Sequence, residues 1–100
     1  MTDTDVVVVV ARWQTTVNHI DEVRTLLADV VPPSRAEPGC LGYETFQVAD
    51  EPATVVLIEH YRDATAMDAH RNSAHFQDIV VGRILPLLTE RRVEILTPLN

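Results

Sequence analysis

The sequence predicts an α+β fold with one four-stranded antiparallel sheet, and three observations predict it. Four strand-like stretches and two helical patterns follow one another as strand, helix, strand, strand, helix, strand. The most continuously apolar strands, VVVVV and TVVLI, are the first and third, while the second and fourth are more mixed. Residues suited to capping and turning stand at the joints: Asn18, Pro38-Gly39, Asp50-Glu51-Pro52, Asp63 and Ser73.

Residues 6–13, VVVVVARW, are β-branched and read as the first strand. Asn18 is placed to cap a helix, with Asp21 as a weak capping-box partner. Ile20, Val23, Leu27, Val30 and Val31 then recur at helical spacing, and Pro32-Pro33 is expected to end that helix or force its last turn open. Residues 40–48, CLGYETFQV, read as the second strand, and residues 54–61, TVVLIEHY, as the third. Asp63 caps a short helix reaching about Arg71. Ser73 caps a longer one with an apolar stripe of Phe76, Ile79, Val80, Ile84, Leu87 and Leu88. Pro86 lacks the N–H that would bond the Gly82 carbonyl, so a kink or early stop is expected there. Residues 91–97, RRVEILT, alternate and read as the fourth strand. This is the split βαβ order of the ferredoxin-like fold, βαββαβ, whose first and third strands lie in the middle of the sheet. With no repeat or linker, residues 1–100 read as one domain.

An antiparallel sheet with one wet face should alternate apolar and polar residues. Here Val7 and Val9 point to one face, and Val6, Val8 and Val10 to the other. Two helices cover only one face. Leaving the aliphatic side chains of the other face wet forgoes ~1.5–3 kcal/mol each. A homodimer with sheets packed face to face through the open sheet face is therefore expected, against a monomer carrying an exposed patch.

Fifteen acidic residues against eight basic ones give a net charge of −7. That disfavours a nucleic-acid partner, which needs a basic face, and an anionic membrane surface. The longest apolar run, residues 6–11, is far shorter than the ~20 residues of a membrane helix. The start MTDTD has no basic leader, and the single Cys40 permits no internal disulfide. Together these fit a cytoplasmic protein.

Two stretches carry a family resemblance: SRAEPGCLGYE at residues 34–44 and EHYRDATAMDAHRNSAHF at residues 59–76. They are similar to the antibiotic biosynthesis monooxygenase family, whose pattern runs Ser-Arg-x-Glu-Pro-Gly-Cys with a following Tyr, then Glu-x-Trp/Tyr-x-Asp, then a His and a His-Phe pair. The resemblance covers nearly the whole chain. It implies a dimeric α+β barrel with a small cavity between sheet and helices in each subunit. It also implies a quinol monooxygenase-like activity, since members include quinol and anthrone monooxygenases that use no metal or flavin. Leu57 and Tyr61 stand where anthrone-hydroxylating members tend to carry Asn and Trp.

Cofactor-free oxygenation needs a base with a pKa near working pH, a mostly apolar pocket, and donors where an anion's charge develops. His70 and His75 are the candidate bases, histidine titrating near ~6.5 when unperturbed. On one continuous helix, five residues apart means about 140° of rotation, so the two would not share a face. The Asn72-Ser73 break can turn both toward one site; otherwise they are solvated helix residues. Glu59 and Tyr61 share a face of the third strand with Leu57. A carboxylate after TVVLI sits at the strand's wet end or is hydrogen-bonded inside, where it can orient a histidine or hold a proton. Tyr61 is a candidate donor to the developing anion.

Trp13, Tyr43, Leu57 and Phe76 are the candidate substrate-binding walls, with core packing as the alternative for each. His60 faces the other way from Glu59, and His19 reads as solvated. Cys40 reads as a buried structural thiol, and Arg35 and Glu37 as fasteners of the turn. Glu59, His60, His70 and His75 supply metal-ligand types without a diagnostic spacing, so no metal and no cofactor are expected. The expected function is oxidation of a quinol, anthrone or similar electron-rich aromatic by molecular oxygen. The alternatives are a small-metabolite isomerase or lyase and a non-catalytic ligand-binding, stress-response module on the same fold.

Overall fold

The computed structural model describes residues 5–99, so the acidic start at 1–4 lies outside the described residues. The elements are strand β1 (Val7–Gln14), helix α1 (Ile20–Arg35), strands β2 (Cys40–Val48) and β3 (Glu51–Tyr61) and helix α2 (Ala64–Arg71). A π-helical segment (Phe76–Ile84), a 3₁₀ turn (Leu85–Leu87) and strand β4 (Glu90–Leu96) complete the chain. The sheet order is β2-β3-β1-β4 with every neighbouring pair antiparallel, which is the ferredoxin-like βαββαβ arrangement. The two valine-rich strands are central, where both of their ladders of backbone groups find partners.

The pleat of β1 sorts its side chains cleanly. Val7, Val9, Ala11 and Trp13 are buried, and the residues between them are half-buried. Beneath the buried row pack Val23, Leu26, Leu27 and Val30 of α1 and Val80 and Ile84 of the π-helical segment, closing one core with Val55 and Leu57 of β3. The opposite face carries Val8 and Val10 on β1, paired with His60 and Ile58 on β3, and among the described residues no helix crosses it. Among the described residues, no helix is long and apolar enough to cross a membrane.

Four expectations change in the structure. Helix α1 does not stop at Pro32-Pro33 but runs through both to Arg35. The carbonyls these prolines leave without N–H partners belong to Ala28 and Asp29, both exposed, so water can take them, and Ser34 Oγ donates to the Val30 carbonyl at 2.7 Å. Asn18 is not the cap of α1: His19 takes that position and no side chain bonds the free N–H groups. Strand β3 begins at Glu51, with a two-residue turn at Ala49-Asp50, so Glu51 and Pro52 extend the strand instead of turning it. The helix capped by Ser73 widens to π geometry from Phe76, as the Leu85 N–H bonding to the Val80 carbonyl five residues back illustrates, and it ends just before Pro86.

Candidate active site

Helix α2 begins with the Asp63 carboxylate accepting from the Ala66 N–H at 2.8 Å. This fixes the phase of a short helix whose inward residues are Ala66, Met67 and His70. His70 is only 2% exposed. Its ring lies between Tyr43 and Tyr61, both with centroids 5.5 Å away, and meets Phe76 edge-on at 5.3 Å. The chain then turns at Asn72-Ser73. Ser73 Oγ donates to the His70 carbonyl at 2.6 Å and accepts from the Phe76 N–H at 3.3 Å. That turn brings the His75 ring to 5.8 Å from the His70 ring, which no single continuous helix would do.

The group joining the two histidines is Glu37, from the loop after α1. Its Oε2 lies 2.9 Å from His70 Nδ1 and 2.6 Å from His75 Nε2. An ionised carboxylate only accepts, so both ring nitrogens that face it carry protons. For neutral His70 this leaves Nε2 with a free lone pair. That nitrogen has no hydrogen-bond partner and sits 3.9 Å from Glu59 Oε1. The loop is itself tied down: Arg35 Nε donates to the Tyr43 carbonyl at 3.0 Å, and the Cys40 N–H to the Glu37 carbonyl at 3.0 Å. A Cβ at Gly39 would collide with Ala66, so the Pro-Gly turn lets this loop close against α2.

On β3, Glu59 and Tyr61 stand two residues apart on the same face, and the Tyr61 hydroxyl donates to Glu59 Oε1 at 2.5 Å. Burial pushes the Glu59 carboxyl above the usual carboxylate range, and the Tyr61 bond, His70 and Arg71 pull it only part of the way back. The Tyr61 hydroxyl is pushed up by burial and then by the Glu59 charge, and the Tyr43 hydroxyl by burial and Glu59 likewise. Both phenols are therefore hydrogen-bond donors over the ordinary pH range.

Between the sheet and the helices lies a cavity of about 30 Å³, room for one water molecule. Its apolar walls are Val9, Ala11, Val80 and Val93, and its polar ones Trp13, Glu59, His70, Arg71 and Arg91, with Phe76 beside them. Ala11 and its cross-strand partner Val93 make the hollow, since larger side chains there would fill it. In the wall Phe76, Arg71 and Val93 are half-buried and Arg91 is exposed, so a molecule the size of an aromatic ring enters by displacing these side chains. A larger hollow of about 640 Å³ is bounded by Arg35, Leu41, Tyr43 and His60, but it is open to the outside and borders none of His70, His75 and Glu59.

Of the residues the sequence singled out, His70, Glu59, Trp13 and Phe76 line the cavity; Tyr61 stands one hydrogen bond behind it, through Glu59, and His75 two, through Glu37 and His70. Leu57 is fully buried in the core and Tyr43 packs behind His70; neither borders the cavity. His60 lies on the other sheet face, and exposed His19 meets Thr16. The Cys40 thiol is half-buried, pushed up by desolvation. Glu37, read as a turn fastener, fastens the turn and also holds both histidines. Nothing local could reveal this, because the contact spans 33 residues to His70 and 38 to His75. Arg71 and Arg91 were also missed, Arg91 because an alternating strand end gives no sign of which face is hollow.

Glu37, His70 and His75 are the one group among the described residues with ligand atoms gathered as a metal would need, all within 4.8 Å of one another. Two imidazoles and a carboxylate are a usual set for zinc or non-haem iron. Here Glu37 Oε2 already accepts from both rings, and a metal would have to replace those two hydrogen bonds.

The family model described as "Antibiotic biosynthesis monooxygenase" matches residues 6–81. The Mycobacterium tuberculosis protein named "Putative monooxygenase Rv0793" is 36% identical over 98 residues, 97% of this chain and 95% of its own. The solved structure of Rv0793 superposes with a TM-score of 0.89 over 95% of this chain and 96% of that one, at 35% identity. The crystal structure of PA3566 from Pseudomonas aeruginosa superposes with a TM-score of 0.90 over 100% of each chain, at 27% identity.

Proposed function

This chain belongs to the antibiotic biosynthesis monooxygenase family, and we propose that it is a cofactor-independent monooxygenase that oxidises a quinol, anthrone or similar electron-rich aromatic with molecular oxygen. The observation that carries this reading is the state of His70: a nearly fully buried imidazole, held at Nδ1 by Glu37, with an unpartnered Nε2 at the cavity between sheet and helices. A general base needs this arrangement, in which one nitrogen is fixed and the other is free toward substrate.

His70 Nε2 takes the acidic proton of the bound phenol or anthrone, and Glu37 stabilises the imidazolium that forms. The substrate anion passes one electron to oxygen, the radical pair collapses to a C–O bond, and the peroxide loses water. For an anthrone methylene the balance is R₂CH₂ + O₂ → R₂C=O + H₂O. Glu59, pushed up by burial, and the donor Tyr61 behind it face the side of the cavity where the oxyanion develops. Substrate enlarges the water-sized cavity by shifting Phe76, which the wide π-helical turn carries. His75 shares Glu37 and so helps set its position.

We propose further that two chains pair through the open sheet face. Val8, Val10, Val56 and Ile58 are half-buried there with no helix over them, and Phe46 at 48% and Leu96 at 43% exposure flank them. Covering such a strip is worth ~25 cal/mol per Å² of apolar surface. The test of the function is oxygen uptake with a panel of quinols and anthrones. Uptake that falls at least about a hundredfold in His70→Ala supports it, and a flat response across the panel refutes it.

A further inference from the structure

We propose that the substrate of this site carries a carboxylate, held by Arg91 and the indole N–H of Trp13 at the end of the cavity away from Glu59, with Arg71 adding positive charge from the wall between. This rests on the cavity being the substrate site, and it names a chemical class that oxygen chemistry alone does not.

The cavity runs along β1. Val9 pairs with Glu59 at one end, Ala11 with Val93 in the middle, and Trp13 with Arg91 at the other. Four residues of extended strand set the backbone positions of the two end pairs roughly 13 Å apart, and the side chains from both ends close in on the small hollow between them. Trp13 is 4% exposed, borders the cavity, and its Nε1–H has no hydrogen-bond partner. A buried donor without an acceptor is costly in an empty site and is satisfied by a ligand oxygen. Arg91 projects on the same sheet face from the adjacent strand, so its guanidinium reaches the same end. Arg71 joins the wall from the end of α2, one residue after His70.

Among the described residues the arginines in ion pairs are Arg12, Arg24 and Arg62; Arg71 and Arg91 are in none. In a chain of net charge −7, two unpaired guanidiniums and an unpaired N–H around one small hollow form a local anion site. The facing acid is Glu59, at the far end, where burial favours its neutral form. A planar carboxylate matches a guanidinium fork through two parallel hydrogen bonds. The ligand class is therefore an aromatic phenol or quinol with its reacting hydroxyl toward His70 and a carboxylate toward Arg91.

The probes are 2,5-dihydroxybenzoate and its methyl ester, which differ in the charge while keeping the quinol. Isothermal titration under nitrogen at pH 7.5 reads binding without turnover. The acid is expected to bind at least about tenfold more tightly than the ester. In Arg91→Met, and more so in Arg91→Met with Arg71→Met, that ratio falls toward one, while Arg91→Lys keeps part of it. Arg91 is exposed on an edge strand, so its variants fold. Equal binding of the two probes, tighter binding of the ester, no binding of the acid, or a ratio unchanged in the double variant each overturn the proposal. Oxygen uptake with neutral quinols but no acid preference overturns this proposal alone. Acid preference without oxygen uptake overturns the monooxygenase reading alone.

Discussion

Replacing Glu37 by Gln tests the central arrangement with almost no change of shape. In the native site one oxygen, Glu37 Oε2, accepts from His70 Nδ1 at 2.9 Å and from His75 Nε2 at 2.6 Å. Glutamine offers one acceptor and one donor in that space. If its carbonyl takes the Oε2 position, both rings keep their tautomers and the loss is that of a negative charge beside a developing imidazolium. The difference between a charge-assisted and a neutral hydrogen bond is about 1–1.5 kcal/mol, which is about five- to thirteenfold in rate. If the amide nitrogen takes that position, His70 must accept at Nδ1 and carry its proton on Nε2. It is then no longer a base, and the loss approaches the ~10⁴-fold seen when an orienting carboxylate becomes an amide in a catalytic triad. Glu37→Gln is therefore expected to lower kcat at least about fivefold with the fold retained by circular dichroism. The double variant with His70→Ala should be no slower than His70→Ala alone, because the carboxylate acts through that ring. Nitrogen-15 chemical shifts of the imidazoles read the tautomer directly, with neutral His70 protonated at Nδ1 in the native protein. Activity within twofold of native, or a further loss in the His70→Ala background, would refute this account of Glu37.

Other outcomes follow from the same geometry. The folded state holds the Glu59 carboxyl above its unfolded pKa, so that group's favourable contribution is full below the ordinary carboxylate range and is lost as pH rises through the folded value. Glu59→Gln, whose carbonyl still accepts from Tyr61, should thus melt higher than native at pH 8, with the gap shrinking toward pH 4; thermal scans at fixed protein concentration check this. Ile58→Asp puts a charge in the middle of the open sheet face, and light scattering should show it reducing a dimer to single chains without loss of helix signal. Activity should survive prolonged dialysis against chelator, since Glu37 is engaged by hydrogen bonds to both rings; loss on dialysis with recovery on adding zinc or ferrous iron would instead assign Glu37, His70 and His75 to a metal.

The element order was legible because strand and helix periodicities differ, and because the caps at Asp63 and Ser73 are local side-chain chemistry. The central place of β1 and β3 was legible in their unbroken aliphatic runs. Prolines 32 and 33 misled because their cost depends on whether the carbonyls they abandon are wet, which is a tertiary fact. The π turn left no trace in the apolar stripe, since Val80 and Ile84 remain inward in either helix type. In the site, Glu59 and Tyr61 were legible as a pair by strand alternation. The convergence of His70 and His75 was legible only as far as the Asn72-Ser73 break. Their shared carboxylate and the arginines at the other end of the hollow arrive from distant segments, and no local pattern encodes where those segments meet.

The two prolines near the end of α1 have one more effect. They strip two rungs from the backbone ladder in the turn that delivers the chain to Glu37. Ser34 reaching back to Val30 and Arg35 reaching across to Tyr43 make up for the lost rungs, beside the backbone bonds of Ala36 to Pro32 and Glu37 to Ser34. The loop is thus anchored like a tent by guy lines as well as by its own frame, and slackening either line would move the carboxylate before it disturbed the sheet.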